Sequence, residues 1–172
     1  MHIYTRIYTC IHSHLYIDVA RRCNLLIIIY DILLTHIKLY KVFDIANIEW
    51  KGHLTHDAWE NLLGSSKFLL GLGDPLMGPS AIDAISRGCM YLNPVYEKSF
   101  TRPQTGLTYS SQHPYAMHEP SLASYVCSFN INDRTQLKAC IDKALSSNLP
   151  AVIPKDFTRR NYLDRVKTIF SL

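Results

Sequence analysis

The chain has 172 residues, of which 48% are hydrophobic and 19% are charged. This length and composition suit one folded domain with a single apolar core, and they are not typical of a disordered protein. The formal net charge is only +4, and the 18 basic residues are scattered apart from two Arg-Arg pairs. The sequence therefore predicts neither nucleic acid nor a charged membrane surface as a partner.

The N-terminal segment, residues 1–48, differs in texture from the rest. It is rich in Ile, Tyr, His and Leu, without a clear capping, repeat or turn signal. Its most apolar run, residues 25–34, has ten residues and contains Asp31, whereas a helix that spans a bilayer needs about 20. A signal anchor, a buried helix and an ill-defined chain start stay open as interpretations of this segment. We treat it as separate from residues 49–172.

From about residue 50 the pattern becomes regular. Thr55 is a candidate N-cap for a helix that ends at Gly64, and a strand over residues 67–71 follows. A Gly/Pro-rich loop then leads to a short helix that Gly88 ends, and residues 89–92 form a second strand. The predicted core-facing residues of the two helices are Ala58, Trp59, Leu62, Leu63, Ala81, Ile82 and Ile85. This order predicts a βαβ unit with parallel strands and a right-handed crossover.

Residues 93–120 show neither helical nor strand periodicity, and they are rich in Pro, Ser, Thr, Tyr and His. We predict a long irregular connection, and loops of this length inside a compact domain are usually functional. A third strand is expected over residues 125–131, and Asn132 or Asp133 is placed to cap the next helix. The predicted core-facing residues of that helix are Leu137, Cys140, Ile141 and Ala144.

The last predicted element is a helix that begins at Asp156 or Thr158. Its apolar stripe consists of Tyr162, Leu163, Val166, Ile169 and Phe170. Such a stripe normally packs onto a sheet, so we expect this helix to cover one face of the sheet. Because strands and helices alternate from residue 49 to residue 172, the sequence predicts an α/β fold with a parallel sheet for this region.

Five cysteines are present, at positions 10, 23, 89, 127 and 140, and no two of them form a C-x-x-C pair. This spacing is not typical of a zinc site or a thioredoxin-type motif, so no metal site is predicted. The odd count allows up to two disulfides in an oxidising compartment and requires none in a reducing one. The sequence leaves the pairing open.

The loop after the first strand of the βαβ unit contains Gly71, Gly73, Gly78 and Pro79. Glycines allow the backbone to come close to a ligand, and the amide groups at the start of a helix favour a phosphate. Gly78 and Pro79 also have a plain structural interpretation, because proline is favoured in the first turn of a helix whatever the ligand. The pattern indicates either a nucleotide-binding site or residues that only mark the start of a helix.

Asp83 lies three residues after Ser80, at the start of the same predicted helix. One interpretation is a capping arrangement in which the helix dipole stabilises the carboxylate. The other is a ligand-binding carboxylate at the C-terminal edge of a parallel sheet, where it accepts hydrogen bonds from the hydroxyl groups of a ribose. The residues alone do not decide between the two.

A second candidate is the pentapeptide S-Q-H-P-Y at residues 111–115. A histidine next to a proline is more often a turn residue than a catalytic one. In a ligand pocket, Gln112 or His113 would donate a hydrogen bond to a phosphate or a sugar hydroxyl group, and Tyr115 would pack against a ring. We do not assign His113 as a general base.

Together, residues 71–88, residues 89–94 and this pentapeptide resemble the C-terminal half of the N-acetylglucosaminyltransferase V family. The resemblance covers about residues 52–170. It implies that residues 49–172 form a Rossmann-like domain that binds the donor in a two-domain glycosyltransferase of the GT-B type. The donor-binding residues that it implies are Gly71, Gly73, Gly78, Pro79, Asp83, Gln112, His113 and Tyr115.

In that family the reaction is an inverting, metal-independent transfer of N-acetylglucosamine from UDP-GlcNAc to an α-1,6-linked mannose of an N-glycan. The resemblance therefore implies UDP-GlcNAc as the donor substrate, no further cofactor, the N-glycan of a glycoprotein as the acceptor, and a Golgi membrane location. The catalytic carboxylate and most acceptor contacts belong to the preceding domain of the family. No stretch of this chain matches that domain, so we expect the catalytic base to lie outside the chain.

The sequence departs from the family pattern at two positions. Met77 stands where the family usually has a first glutamate, and Asp83 stands where it usually has a second. Asp83 keeps the charge, whereas the thioether of Met77 is a weak acceptor for a hydroxyl group. An alternative is therefore a noncatalytic nucleotide- or protein-binding module derived from this fold. An unrelated oxidoreductase fits less well, because the loop lacks G-x-G-x-x-G.

Overall fold

The computed structural model describes residues 27–29, 48–50, 54–71, 76–101 and 106–170. The chain divides into two compact units, Met1–Trp59 and Glu60–Leu172. In the first unit, strands β1 (Ile27–Ile29) and β2 (Ile48–Trp50) pair in parallel. Most of residues 1–48, and with them the interpretations of the apolar run, lie outside the described residues. Within the described residues, no helix is long and apolar enough to cross a membrane.

Helix α1 (His56–Ser65) begins as predicted. The Thr55 hydroxyl accepts a hydrogen bond from the amide of Ala58 at 3.3 Å, which confirms Thr55 as the N-cap. The prediction that Gly64 ends the helix is wrong, because the helix continues to Ser65. The hydroxyl groups of Ser65 and Ser66 both donate to the carbonyl of Leu62 and so satisfy the backbone at the helix end.

The predicted βαβ unit is confirmed. Strand β3 (Phe68–Leu70) leads through helix α2 (Ser80–Ser86) to strand β4 (Met90–Thr101), and the two strands are parallel. Helix α2 ends at Ser86 with Arg87 as its C-cap, and Gly88 follows with φ of +76°, so it terminates the helix as expected. The amide of Gly88 donates to Ile85, and that of Cys89 donates to Ala84, which satisfies the last carbonyls of the helix. The buried residues of α2 are Ala81, Ile82, Ala84 and Ile85.

The prediction of an irregular connection over residues 93–120 is wrong. Strand β4 continues to Thr101 and pairs in antiparallel fashion with strand β5 (Thr108–Ser111). The Thr101 and Thr108 hydroxyl groups lie 2.9 Å apart as a cross-strand pair. Helix α3 (Pro114–His118) and a single 3-10 turn (Pro120–Leu122) follow. The sheet is therefore mixed rather than purely parallel.

The predicted third strand and the helix after it are confirmed. Strand β6 (Val126–Asn130) pairs in parallel with β4, so four strands form this sheet within the described residues. The Asp133 carboxylate caps helix α4 (Arg134–Ser146) by accepting from the amides of Thr135 and Gln136. All four residues predicted to face the core are buried: Leu137, Cys140, Ile141 and Ala144.

A disulfide between Cys127 and Cys140 joins β6 to α4, which answers the pairing that the sequence left open for these two residues. Cys89 is free and buried, and burial raises the pKa of its thiol to about 12. A thiol that stays protonated at neutral pH is a poor nucleophile, so Cys89 is a packing residue.

The terminal helix, α5 (Arg159–Phe170), forms as predicted, but the prediction that it packs onto the sheet is wrong. None of its residues is buried, and Ile169 and Phe170 are 74% and 67% exposed. The segment before it does contact the core, because Leu149 and Val152 pack against the core cluster. The core cluster consists of Ala81, Ile85, Tyr91, Ala116, Leu122, Tyr125 and Val126.

Candidate functional site

The ends of β3 and β5 meet on the same edge of β4. The amide of Gly71 donates to the carbonyl of Leu92 at 3.0 Å, and that of Gln112 donates to the carbonyl of Pro94 at 2.8 Å. The opposite edge of β4 is occupied by β6. The chain leaves the sheet at both points, into the Gly/Pro loop and into α3. Ligands of α/β folds bind beyond such strand ends, where neighbouring segments diverge.

A backbone hydrogen bond joins the Gly/Pro loop to the pentapeptide. The amide of Met77 donates to the carbonyl of Gln112 at 3.0 Å. Met77 has φ of +56°, a conformation that residues with a side chain rarely adopt and that costs about 1–2 kcal/mol. The side-chain Oε1 of Gln112 accepts from the hydroxyl of Tyr96 at 2.7 Å. The structure thus brings together the two sequence regions that were singled out separately.

Gly71 is a glycine because its neighbours leave no room for a side chain. A Cβ at this position would lie 2.4 Å from the hydroxyl oxygen of Tyr91 and 2.9 Å from Cγ of Gln112. Internal packing alone therefore accounts for the residue type. Gly73, the other glycine at this strand end, lies outside the described residues.

The start of α2 carries Gly78, Pro79 and Asp83. The carbonyl of Pro79 accepts from the amides of Ile82 and Asp83, and Pro79 occupies the N-cap position. Ser80 is therefore not the N-cap, and that part of the capping interpretation is wrong, whereas Asp83 does lie in the first turn, where the helix dipole stabilises a carboxylate. Asp83 is half-buried in the first turn, at the start of the helix that follows the Gly/Pro loop.

His113 is buried and caps α3. Its ring Nδ1 accepts a hydrogen bond from the amide of Ala116 at 3.1 Å, so the predicted alternative of a local structural role is realised. The ring also packs edge-on against Tyr91 and Tyr115. With Nδ1 acting as an acceptor, a neutral ring carries its proton on Nε2. Burial lowers the pKa of His113 below its ordinary value and keeps the ring neutral.

Tyr115 is held by the segment that precedes α5. Its hydroxyl donates to Oδ2 of Asp156 at 3.2 Å, and its ring meets that of Phe157 edge-on with centroids 5.6 Å apart. Burial and then the Asp156 carboxylate raise the pKa of Tyr115 to about 12. The hydroxyl of Tyr115 is therefore committed to a contact within the chain.

Two side chains that are not predicted from the sequence fix the pentapeptide. Oδ1 of Asn93 accepts from the amide of His113 at 2.9 Å, and Tyr96 binds Gln112 as described above. Asn93 is fully buried on β4. In the sequence, Asn93 is a polar residue that follows an apolar strand. Such a residue can equally well mark the end of the strand.

Replacing His113 by glutamine is expected to weaken the acid sensitivity of the fold. The unfolded chain takes up a proton on histidine below about pH 6.5, while the buried ring resists protonation. The stability that depends on neutral His113 is complete above that pH and is lost as the pH falls through the lowered pKa of the folded state. The loss has a maximum slope of about 1.4 kcal/mol per pH unit.

Urea unfolding at pH 7.5 and pH 5.5 measures this effect. The difference in unfolding free energy between the two pH values should be smaller in His113→Gln than in the wild type. His118→Gln is the matched control, because His118 is exposed on the same short helix. An equal reduction in both variants would contradict the role assigned to the burial of His113.

Comparison with known proteins identifies the family. Residues 24–171 match the model of glycosyltransferase family 18. The alpha-1,6-mannosylglycoprotein 6-beta-N-acetylglucosaminyltransferase A of Homo sapiens is 28% identical over 116 residues, which cover 61% of this chain and 15% of the relative. The B enzyme of Homo sapiens is 25% identical over 133 residues, which cover 70% of this chain and 16% of the relative.

A relative from Caenorhabditis elegans, also named alpha-1,6-mannosylglycoprotein 6-beta-N-acetylglucosaminyltransferase, is 28% identical over 129 residues. These cover 67% of this chain and 18% of the relative, so the chain spans less than a fifth of the curated relatives it matches. The names of the relatives confirm the resemblance that the loop and the pentapeptide indicated. The chain belongs to glycosyltransferase family 18.

Proposed function

We propose that residues 49–172 bind UDP-GlcNAc as the donor-binding, Rossmann-like domain of a GT-B glycosyltransferase that branches N-glycans. The observation that carries the proposal is the hydrogen bond between Met77 and Gln112 at the end of β3. It brings the Gly/Pro loop, the start of α2 and the pentapeptide to one side of β4. Membership of the family and the names of the relatives support the same class of reaction.

Each part of the site has a proposed role. The backbone around Gly78 and Pro79, at the start of α2, receives the diphosphate. Asp83 accepts hydrogen bonds from the ribose hydroxyl groups, and Gln112 and His113 act as neutral donors to phosphate or sugar oxygens. Because the hydroxyl of Tyr115 is bonded to Asp156, the ring of Tyr115 is the part that contacts the donor.

The proposed reaction is the inverting transfer of N-acetylglucosamine to an α-1,6-linked mannose of a glycoprotein N-glycan, without a metal ion. A general base must reach the attacking hydroxyl group, and we place that base and the acceptor contacts in a preceding domain outside this chain. The Cys127–Cys140 disulfide supports an oxidising compartment. This agrees with the proposed location at the Golgi membrane.

Calorimetric titration of the full chain with UDP, UDP-GlcNAc and NAD tests the proposal. UDP should bind, UDP-GlcNAc should bind at least as tightly, and NAD should not. Asp83→Ala should weaken UDP binding about tenfold, because it removes hydrogen bonds to a charged group. Asp57→Ala is the matched control, since Asp57 also lies in the first turn of a helix. Loss of binding in both variants, or in neither, would refute the role of Asp83.

The alternative is a noncatalytic module derived from the same fold, and Met77 favours it. Its side chain is 45% exposed beside the pentapeptide and offers no strong acceptor for a hydroxyl group. If Met77→Glu binds UDP-GlcNAc more tightly than the wild type, the module descends from a donor site that has weakened. If the folded chain binds none of the three nucleotides, the donor site is refuted and the noncatalytic module stands.

A further inference from the structure

Asn93 occupies an unusual place in the sheet. It lies on β4 between Leu92 and Pro94. The carbonyls of these two neighbours accept hydrogen bonds from the amides of Gly71 and Gln112, at the points where two chain segments leave the sheet. Its side chain is 0% exposed. A buried carboxamide is costly unless both of its ends form hydrogen bonds, so its partners indicate what the residue does.

Both ends of the carboxamide are used. Oδ1 accepts from the amide of His113 at 2.9 Å, and Nδ2 donates to Oγ of Ser128 on β6 at 3.4 Å. The amide of His113 is a donor only, so the atom that faces it must be the oxygen of Asn93. The side chain therefore links two strands of the sheet to the pentapeptide in one orientation.

This link fixes the backbone from which the His113 ring projects. The ring is held a second time through Nδ1, which accepts from the amide of Ala116. Two hydrogen bonds of opposite sense, one at the main chain and one at the ring, leave a single orientation for the imidazole. Within the described residues Nε2 has no hydrogen-bond partner, so the proton on Nε2 is available for a ligand.

We propose that Asn93 is a positioning residue that holds His113 with its Nε2 proton directed to an anionic oxygen of a nucleoside diphosphate. The inference rests on the proposed function and adds to it the residue that sets the geometry and the group of the ligand that is met. A neutral N–H donor binds a diphosphate oxygen without changing its own protonation state. Asn93 itself does not touch the ligand.

The first measurement is the nitrogen-15 NMR spectrum of the imidazole of His113 in the full chain, before and after saturation with UDP. We expect the tautomer with the proton on Nε2 in the free protein, and a shift of that signal on addition of UDP. Uridine, which has no diphosphate, should leave the signal in place. A purely structural histidine would not show this difference between UDP and uridine.

The second measurement is the affinity for UDP of Asn93→Ala and Asn93→Asp, each with its thermal midpoint. Asn93→Ala should raise the Kd about tenfold, as expected for one misplaced hydrogen bond to a charged ligand, and should weaken the preference of His113 for one tautomer. Asn93→Asp keeps an acceptor for the amide of His113 and should restore part of the affinity. Ser128→Ala is the matched control, because it removes the other, longer bond of Asn93.

The outcomes separate this inference from the proposed function. If the folded wild type does not bind UDP, both are refuted. If the wild type binds UDP but Asn93→Ala binds it equally well, or Ser128→Ala weakens binding as much as Asn93→Ala does, only the role of Asn93 is overturned. If Asn93→Ala does not fold, the wild-type spectrum decides, because a His113 signal that UDP leaves unchanged overturns the inference.

Discussion

Loss of the disulfide between Cys127 and Cys140 is expected to lower the free energy of unfolding by about 3 kcal/mol. The two cysteines are 13 positions apart, and the bond ties β6 to α4. In the unfolded chain the bond restricts a loop of that size. Breaking it returns conformational freedom to the unfolded state and leaves the native contacts of β6 and α4 in place. The fold should therefore survive the loss with a lower margin of stability.

Urea unfolding with and without a reductant measures the effect, alongside the Cys127→Ala/Cys140→Ala double variant. Both the reduced wild type and the double variant should unfold at lower urea concentration than the oxidised wild type. Cys89→Ala is the control, because Cys89 is buried but unbonded, so this variant should stay sensitive to the reductant. A double variant as stable as the oxidised wild type would contradict the stabilising role of the bond.

Gly88→Ala is expected to destabilise the fold by a similar amount, about 3 kcal/mol. At its φ of +76° a side chain costs about 1–2 kcal/mol. A Cβ would also lie 2.5 Å from the carbonyl oxygen of Leu149. This oxygen belongs to the backbone and cannot rotate aside, so the segment at Leu149 must shift, at a cost of about 1–3 kcal/mol more.

Two other glycines separate the causes. Gly106 has φ of +67° with nothing within 4 Å of a Cβ, so Gly106→Ala should show only the backbone cost. Gly64 lies inside α1 with open space around it, so Gly64→Ala should raise stability by about 0.5–1 kcal/mol. Thermal unfolding of the three variants gives the order. An equal loss in Gly88→Ala and Gly106→Ala would show that Leu149 yields without cost.

The elements with local signals could be predicted from the sequence. Asp133 predicts the start of α4, because a carboxylate before an amphipathic run accepts hydrogen bonds from the free amides of the first turn. Gly88 predicts the end of α2, because glycine adopts a positive φ without strain. With the short strands on either side, these signals were enough for the βαβ unit and for strand β6.

The elements that depend on distant partners were missed. The pairing of Thr101 with Thr108 closes a hairpin whose strands have no clear alternation, so nothing in residues 93–120 alone indicated it. Helix α5 was predicted as a helix, but not its exposure. An apolar stripe shows which side of a helix is apolar, and it does not show whether the sheet has a free surface for that side to cover. No residue of α5 is buried, whereas Leu149 and Val152 of the preceding segment pack against the core cluster. Tertiary packing, not local pattern, decided both cases.

The candidate site divides in the same way. The Gly/Pro loop and the pentapeptide were visible as motifs, but the hydrogen bond from Met77 to Gln112 needed the folded sheet. Asn93 could not be predicted as a site residue, because its partner, the amide of His113, comes close only when the hairpin of β4 and β5 has formed. The contact of Tyr115 with Asp156 also joins positions that are 41 residues apart.

Strand β4 is held unequally along its length. Residues 91–95 pair with β6 on one edge, whereas Phe100 and Thr101 pair with β5 in the hairpin. Segments with fewer bonds open at a lower free energy than the core, so the far end of the hairpin can open while the parallel strands stay folded. Gln112 and His113 follow directly after β5, but their amides donate to Pro94 and Asn93, in the part of β4 that β6 also holds. They therefore stay in place when the far end of the hairpin opens. A ligand bound at these residues would stabilise the base of the hairpin, and its concentration would set the free energy that this base gains over the far end.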